Sequence, residues 1–73
     1  MEKYMTCFIE PGNPGGRSGY FVFCQRQMIY ESNDPMYMVM EVILNSFDKQ
    51  GWSLHQALSE GYQAILIFKR KGM

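Results

Sequence analysis

Hydrophobic and polar positions first follow a period of two, which is typical of β-strands. Residues 3–9 alternate in this way, and the two candidate faces are Tyr4, Thr6 and Phe8, and Met5, Cys7 and Ile9. Residues 20–26 form a second β-rich segment, apolar on both faces. The ten residues between them include four glycines and two prolines, which predicts a mobile loop. These segments therefore predict a hairpin with a long connection.

From Asp34 onwards the apolar positions recur at helical spacing. Asp34 is a typical N-cap, and Pro35 suits the first position of a helix. The pattern continues for about four turns to Gly51, a residue type that commonly ends helices. The apolar stripe consists of Met36, Val39, Met40, Ile43, Leu44 and Phe47. We therefore predict one amphipathic helix.

A second hairpin follows, with strands at residues 52–58 and 62–70 and a turn at Glu60 and Gly61. Directly opposed residues share a face, so a two-residue turn predicts two sets. The first is Trp52, Leu54, Leu58, Ile65 and Ile67, and the second is Ser53, His55, Ala57, Tyr62, Ala64, Leu66 and Phe68. Because Trp52 directly follows the helix and can fold back on Phe47, we expect the helix to cover the first set.

The predicted fold is a single α+β domain over residues 1–73, with ββαββ order. One helix packs on one face of a four-stranded, largely antiparallel sheet. The opposite face then stays uncovered and apolar, and Ala64, Leu66 and Phe68 are its expected interface residues. A chain of 73 residues forms a small core and often gains stability from a partner. We expect a homo-oligomer, at least a dimer.

The charge balance and the cysteine content reduce the number of function classes to consider. Seven basic and seven acidic residues give a formal net charge of zero, which disfavours nucleic-acid binding. No segment is apolar enough to span a membrane, and no signal peptide is evident, so we expect a cytoplasmic protein without a membrane partner. Cys7 and Cys24 are expected to be reduced, buried thiols. Together with His55 they are too few for a metal site, and we expect no cofactor.

Residues 44–54, which contain the Gly51-Trp52-Ser53-Leu54 element, and the ending Phe68-Lys69-Arg70 resemble a family of small bacterial and phage domains, the domain of unknown function numbered 4177. That family shows a leucine-rich helix, a Gly-Trp-Glu-Leu-like element and a last strand that ends Phe-Lys-Arg. Here Ser53 replaces the acidic residue, and the N-terminal half lacks the Trp-Glu-Tyr-Lys opening. The resemblance implies an α+β fold and a phage or mobile-element origin, where small oligomeric proteins that block or sequester host defence components are a plausible class.

Two clusters of polar residues are candidates for chemistry, a Ser-His pair and the glycine-rich loop. Ser53 and His55 share one strand face, but no acid is placed to orient the imidazole and no glycine elbow presents the serine, so we expect no enzyme. The glycines of the first loop could aim N–H groups at an anion, with Arg17 adding charge. The loop lacks the Gly-Lys-Ser/Thr ending of a phosphate-binding loop, and an ordinary connector is the favoured interpretation.

Two function classes remain. The first is a non-enzymatic, oligomeric protein that sequesters a small anionic, nucleotide-like ligand between subunits. Its candidate ligand-binding residues are Gly15, Gly16, Arg17, Tyr20, Arg26, His55 and Tyr62. The alternative is a protein–protein interaction module or inhibitor that docks on a host defence protein through its apolar sheet face.

Overall fold

The order of the strands places the N-terminal strand at the centre of the sheet. A computed structural model describes residues 4–72, so Lys3 of the predicted first strand lies outside the described part. The elements are β1 (Tyr4–Gly12), β2 (Gly19–Cys24), β3 (Gln27–Ser32), α1 (Met36–Lys49), β4 (Trp52–Glu60) and β5 (Gln63–Arg70). All neighbouring strands are antiparallel, in the order β3-β2-β1-β5-β4. The α+β class with one helix is confirmed, but the chain has five strands and βββαββ order.

The strand missed by the prediction is β3, because the turn before it has no typical turn sequence. Gln25 and Arg26 connect β2 to β3, and their φ angles are 52° and 69°. A two-residue hairpin turn with positive φ at both positions favours Asn-Gly or Gly-Gly. A glutamine followed by an arginine gives no such signal, so the sequence does not predict a strand at residues 27–32.

Helix α1 covers one face of the sheet and begins later than predicted. Pro35 precedes the helix in an extended conformation, with ψ at 157°, and no side chain caps the first turn. The predicted Asp34 cap is therefore wrong, and the Asp34 N–H itself donates to Ser32 Oγ at 3.0 Å. The C-terminal end agrees with the prediction, since Gly51 has φ 91° and its N–H donates to the Asp48 carbonyl at 3.2 Å.

The core lies between α1 and the face of the sheet that we call the closed face. Its buried side chains are Met5, Cys7, Ile9, Val22, Cys24, Val39, Ile43, Phe47, Ala64, Leu66 and Phe68. The rings of Phe47 and Phe68 meet edge to face, with centroids 4.8 Å apart. Leu66 and Phe68 are 0% and 1% exposed, so they are covered within one chain. The predicted assignment of Ala64, Leu66 and Phe68 to an uncovered face is wrong.

A β-bulge at His55 explains that error. On the C-terminal side of the bulge Leu58 pairs with Ile65, whereas on the N-terminal side Leu54 pairs with Phe68. One extra residue turns every later side chain to the opposite face. Trp52 does pack against the core beside the helix. Leu58, Ile65 and Ile67 lie on the other face, although an unbroken strand would have placed them with Trp52.

The cysteines also differ from the prediction, because Cys7 and Cys24 form a disulfide. They are direct partners in the β1–β2 ladder, with Cα atoms 4.4 Å apart. That separation is typical of a non-hydrogen-bonded antiparallel pair, and it falls within the range that disulfides bridge. The bond joins two central strands beneath α1.

The glycine-rich connection between β1 and β2 is held by one side chain. Pro14–Gly16 form a short 3₁₀ turn, and Asn33 Nδ2 donates to the carbonyls of Pro14, Arg17 and Ser18 at 3.0 to 3.1 Å. Gly19 lets the Ser32 carbonyl approach its Cα, where any Cβ would collide. This loop is therefore anchored to the end of β3, in contrast to the mobile connector that its composition predicted.

Candidate interaction surface on the open face of the sheet

Within residues 4–72 no element packs on the second face of the sheet, which we call the open face. The ladder register places alternate residues of each strand on it. Its large apolar side chains are Phe8, Phe21, Phe23, Met28, Leu58, Ile65 and Ile67. Phe8 is 37% exposed and Leu58 is 45% exposed. Antiparallel sheets with one solvated face usually carry polar residues there, so this composition is unusual.

These apolar side chains form one contiguous band. A row across four strands consists of Phe23, Phe8, Ile65 and Leu58, and the next row consists of Thr6, Ile67 and Gln56. The Phe21 ring lies directly against Gly12, in space that a side chain at that position would occupy. An aromatic ring over a strand glycine shields the backbone that the glycine leaves bare. The band therefore runs from Phe21 to Phe23 on β2, crosses β1 at Phe8, and continues from Ile65 to Ile67 on β5, with Thr6 and Gln56 at its border.

Acidic residues line one end of the open face. Glu31 and Glu10 are both register partners of Phe21, on β3 and β1, and Glu60 pairs with Gln63 at the same end of the sheet. We call Glu10, Glu31 and Glu60 the glutamate row. Glu31 and Glu60 are exposed, and Glu10 is half-buried.

Basic and aromatic groups line the other end. Lys69 pairs with Tyr4, and the ring of Tyr4 meets that of His55 edge to face, with centroids 5.2 Å apart. Arg26 borders a shallow cleft of about 350 Å³, whose lining is Tyr4, Met5, Thr6, Phe8, Gln25 and Arg26. We call Arg26 and Lys69 the cation pair. Within residues 4–72 neither the glutamate row nor the cation pair takes part in an ion pair.

The structure divides the predicted ligand-binding residues between the two ends of the sheet. Five of them lie at the glutamate end: Gly15, Gly16 and Arg17 in the first loop, Tyr20 at the start of β2, and Tyr62 in the β4–β5 turn. Tyr20 packs against the core, whereas Tyr62 is 81% exposed. Arg26 and His55 lie at the other end, about 20 Å away along strands of six or more residues. The predicted set therefore does not converge on one site.

The glycine loop already uses two of its N–H groups, which argues against an anion cradle. The N–H groups of Gly16 and Arg17 donate to the carbonyls of Asn13 and Pro14, at 3.0 and 3.3 Å. Donors that are used inside the 3₁₀ turn are not available to a phosphate. The Arg17 side chain is exposed, and its own N–H is one of the donors already used.

Other candidate groups have structural partners. The Ser53 hydroxyl donates to the Lys69 carbonyl at 3.4 Å, while His55 contacts Tyr4. In the basic run at residues 69–71, Arg70 stacks its guanidinium on Trp52 at 4.6 Å, and Lys71 forms an ion pair with Asp48. Lys69 is thus the member of this run that belongs to the open face.

Sequence reasoning missed the residues that give the open face its character, namely Phe8, Phe23, Ile65, Ile67 and the glutamate row. Two signals were present. Glu10 and Glu60 both adjoin predicted turns, and the first strand offered Tyr4, Thr6 and Phe8 as one of its two faces. Neither signal identifies the open face until the bulge at His55 is known.

Comparison of the chain with family models, with curated proteins and with solved structures finds no match in any of the three. The resemblance of the C-terminal half to a phage and bacterial family therefore stays a prediction. Among residues 4–72, no three His, Cys, Asp or Glu side chains are grouped so that they could hold a metal ion. The single helix of this part of the chain is neither long nor apolar enough to cross a membrane.

Proposed function

We propose that this chain is a non-enzymatic protein–protein interaction module that binds its partner through the open face. The observation that carries the proposal is the apolar band from Phe21 to Ile67, which no element of residues 4–72 covers. The face measures about 500 Å² in projection, from strand spacings and residue rises. The apolar band takes up part of this area, and contiguous exposed apolar patches of roughly a few hundred Å² often mark interaction sites.

A dye experiment tests the proposal without knowledge of the partner. An apolar fluorescent dye, anilinonaphthalene sulfonate, should bind the dilute native protein, and the double variant Phe8→Ser, Ile67→Thr should lose that binding while remaining folded. Tyr37→Ser is the matched control, because Tyr37 is exposed on α1, away from the sheet. The proposal fails if dilute wild-type protein binds no dye, or if the double variant binds as much as wild type.

A second candidate function is the sequestration of a small anionic ligand, and the cleft beside Arg26 favours it. Arg26 supplies charge, Thr6 and Gln25 supply hydrogen-bonding groups, and Tyr4 and Phe8 supply aromatic surface in the same cleft. Calorimetry against cyclic and linear nucleotides tests this candidate. Arg26→Ala should weaken binding about tenfold or more, whereas Arg17→Ala at the opposite end should have no effect. No heat with any nucleotide would remove this candidate.

The oligomeric state, the phage or mobile-element origin and a host defence protein as target remain predictions. The cytoplasmic location is also a prediction, and the Cys7–Cys24 disulfide weighs against it. Disulfides persist chiefly in oxidising compartments.

A further inference from the structure

We infer that the partner of the open face is a second copy of this chain, with the strands of the two sheets running in opposite directions. In that arrangement the glutamate row of each copy meets the cation pair of the other. The inference rests on the proposed function, because it names the partner of the same surface. It follows from the distribution of charge along the face.

The open face carries both signs of charge, at opposite ends. Glu10, Glu31 and Glu60 lie at one end, and Arg26 and Lys69 lie at the other. A partner with one sign of charge would leave one end facing a like charge or no charge. A second copy turned end to end places opposite charges together at both ends of the face. In the other orientation like charges would meet, and their repulsion disfavours that arrangement.

Symmetry leaves two simple ways to stack the face on its own copy. A twofold axis along the strands places the two glutamate rows together, which is repulsive. A twofold axis that lies between the sheets and runs across the strands reverses the strand direction. That second axis brings Glu10 of one copy towards Lys69 of the other, and the contact occurs twice by symmetry.

The lateral order of the charges fits the second axis in detail. Rotation about an axis across the strands leaves each strand above its own copy. Across the sheet, the charged positions follow in the order Glu31 on β3, Arg26 in the β2–β3 turn, Glu10 on β1, Lys69 on β5 and Glu60 on β4. Acidic and basic groups therefore alternate across the width of the sheet and would interdigitate between copies. Such complementarity sets orientation more than affinity.

The two central rows of the face are also complementary in size where they cross β1. The end-to-end rotation places the row of Phe23, Phe8, Ile65 and Leu58 over the row of Thr6, Ile67 and Gln56 of the other copy. Phe8 then meets Thr6, so a large side chain faces a smaller one. Interface cores need this kind of fit to reach the packing density of protein interiors.

The size of the face predicts how tight the pair is. Two faces of about 500 Å² each give an interface near 1,000 Å² in total, roughly the lower limit for a specific complex. We therefore expect a reversible dimer with a micromolar dissociation constant, in contrast to an obligate one.

Sedimentation equilibrium over about 1 to 500 µM protein tests the inference, because this range spans the expected dissociation constant. Wild type should pass from monomer to dimer, and rising salt should weaken the dimer. Glu10→Lys should raise the dissociation constant about tenfold or more, since it replaces two attractive contacts by two repulsive ones. Glu41→Lys, on the exposed side of α1, makes the same change in net charge away from the face and should have no such effect.

The charge-swap variant Glu10→Lys, Lys69→Glu decides the orientation. It should recover most of the wild-type affinity, while circular dichroism shows that each variant is folded. A chain that stays monomeric over the whole range overturns the inference, and dye binding to that monomer would leave the proposed function intact. A dimer that responds equally to Glu10→Lys and Glu41→Lys, or that the swap does not restore, also overturns it. A dimer unaffected by Phe8→Ser, Ile67→Thr uses another surface and also overturns the inference, whereas the dye experiment alone decides the proposed function.

Discussion

The two faces of the sheet are built from the same strands, yet they hold their apolar side chains in different ways. On the closed face, small and medium residues such as Cys7, Ile9 and Ala64 fit beneath α1 and are almost fully buried. On the open face, larger rings such as Phe8 and Phe23 stay partly in contact with water. A pattern of hydrophobic residues therefore does not by itself distinguish the buried face of this sheet from its exposed face.

The difference arises because residues 4–72 contain one α-helix, and a helix that packs on one side of a sheet leaves the other side uncovered. The disulfide and α1 complete one core, and nothing in residues 4–72 repeats that arrangement on the other side. Under the proposed function, stability and recognition belong to opposite faces of the sheet.

The largest expected effect comes from truncating matched phenylalanines on the two faces. Phe68→Ala should cost about 3 to 5 kcal/mol, because it leaves a cavity beneath α1. Phe8→Ala should cost less than about 1 kcal/mol in dilute monomer, because its ring is already partly solvated. Urea denaturation followed by circular dichroism measures both. Equal losses at the two positions would mean that the open face is not a separate surface.

The next effect concerns the bond inside the closed face. Cys7 and Cys24 are 17 positions apart in sequence. Reduction of the disulfide between them should lower the free energy of unfolding by about 3 kcal/mol. Thermal unfolding with and without reductant measures this loss, and Cys7→Ala, Cys24→Ala should reproduce it. Dye binding to the open face should persist in any folded reduced protein. Loss of dye binding without unfolding would show that the two faces are coupled.

A third test concerns the bulge that assigns residues to faces. Deletion of His55 should cost about 2 kcal/mol, because Trp52 and Leu54 would turn away from the closed face. Trp52 is the one tryptophan of the chain, so its fluorescence should shift to the red. His55→Ala keeps the extra residue and should change stability by less than about 0.5 kcal/mol. An unchanged spectrum after the deletion would contradict the role given to the bulge.

The smallest effect concerns the turn that places Arg26 beside the open face. Gln25→Asn should raise stability by about 0.5 kcal/mol, because asparagine tolerates positive φ better than glutamine. The melting temperature measures this gain, and Gln56→Asn on β4 serves as a control without positive φ. A decrease at position 25 would show that the glutamine side chain contributes contacts that outweigh its backbone strain.

The sequence alone predicts those helices and strands whose hydrophobic pattern is regular. The helical period from Met36 to Phe47 and the terminal Gly51 predicted α1 well, and the alternation in residues 4–9 and 62–70 predicted two of the strands. These patterns depend on neighbours within a few positions. The conformation they predict is therefore independent of the rest of the fold.

What the sequence could not supply was the relation between elements. The bulge at His55 leaves only a faint trace, two adjacent polar residues and then the adjacent apolar pair Ala57 and Leu58. The Gln25-Arg26 turn is stabilised by the pairing of β2 with β3 on either side of it, and not by the backbone preferences of its two residues. The ends of the open face acquire their charge only when five strands are in register, so the candidate site could not be predicted before the register was known.

The central position of β1 has a consequence for how the chain folds. Met5 pairs with Phe68, so the pairing that joins the two hairpin units is also the one that spans nearly the whole chain. Closing so large a loop costs entropy before any contact compensates for it, which slows folding of such topologies. A circular permutant that links β5 directly to β1 and opens the chain between Gln50 and Gly51 would convert this distant pairing into a local hairpin, and it would leave β4 and β5 adjacent in sequence. We expect such a permutant to refold faster than the natural order of strands, with the same two faces.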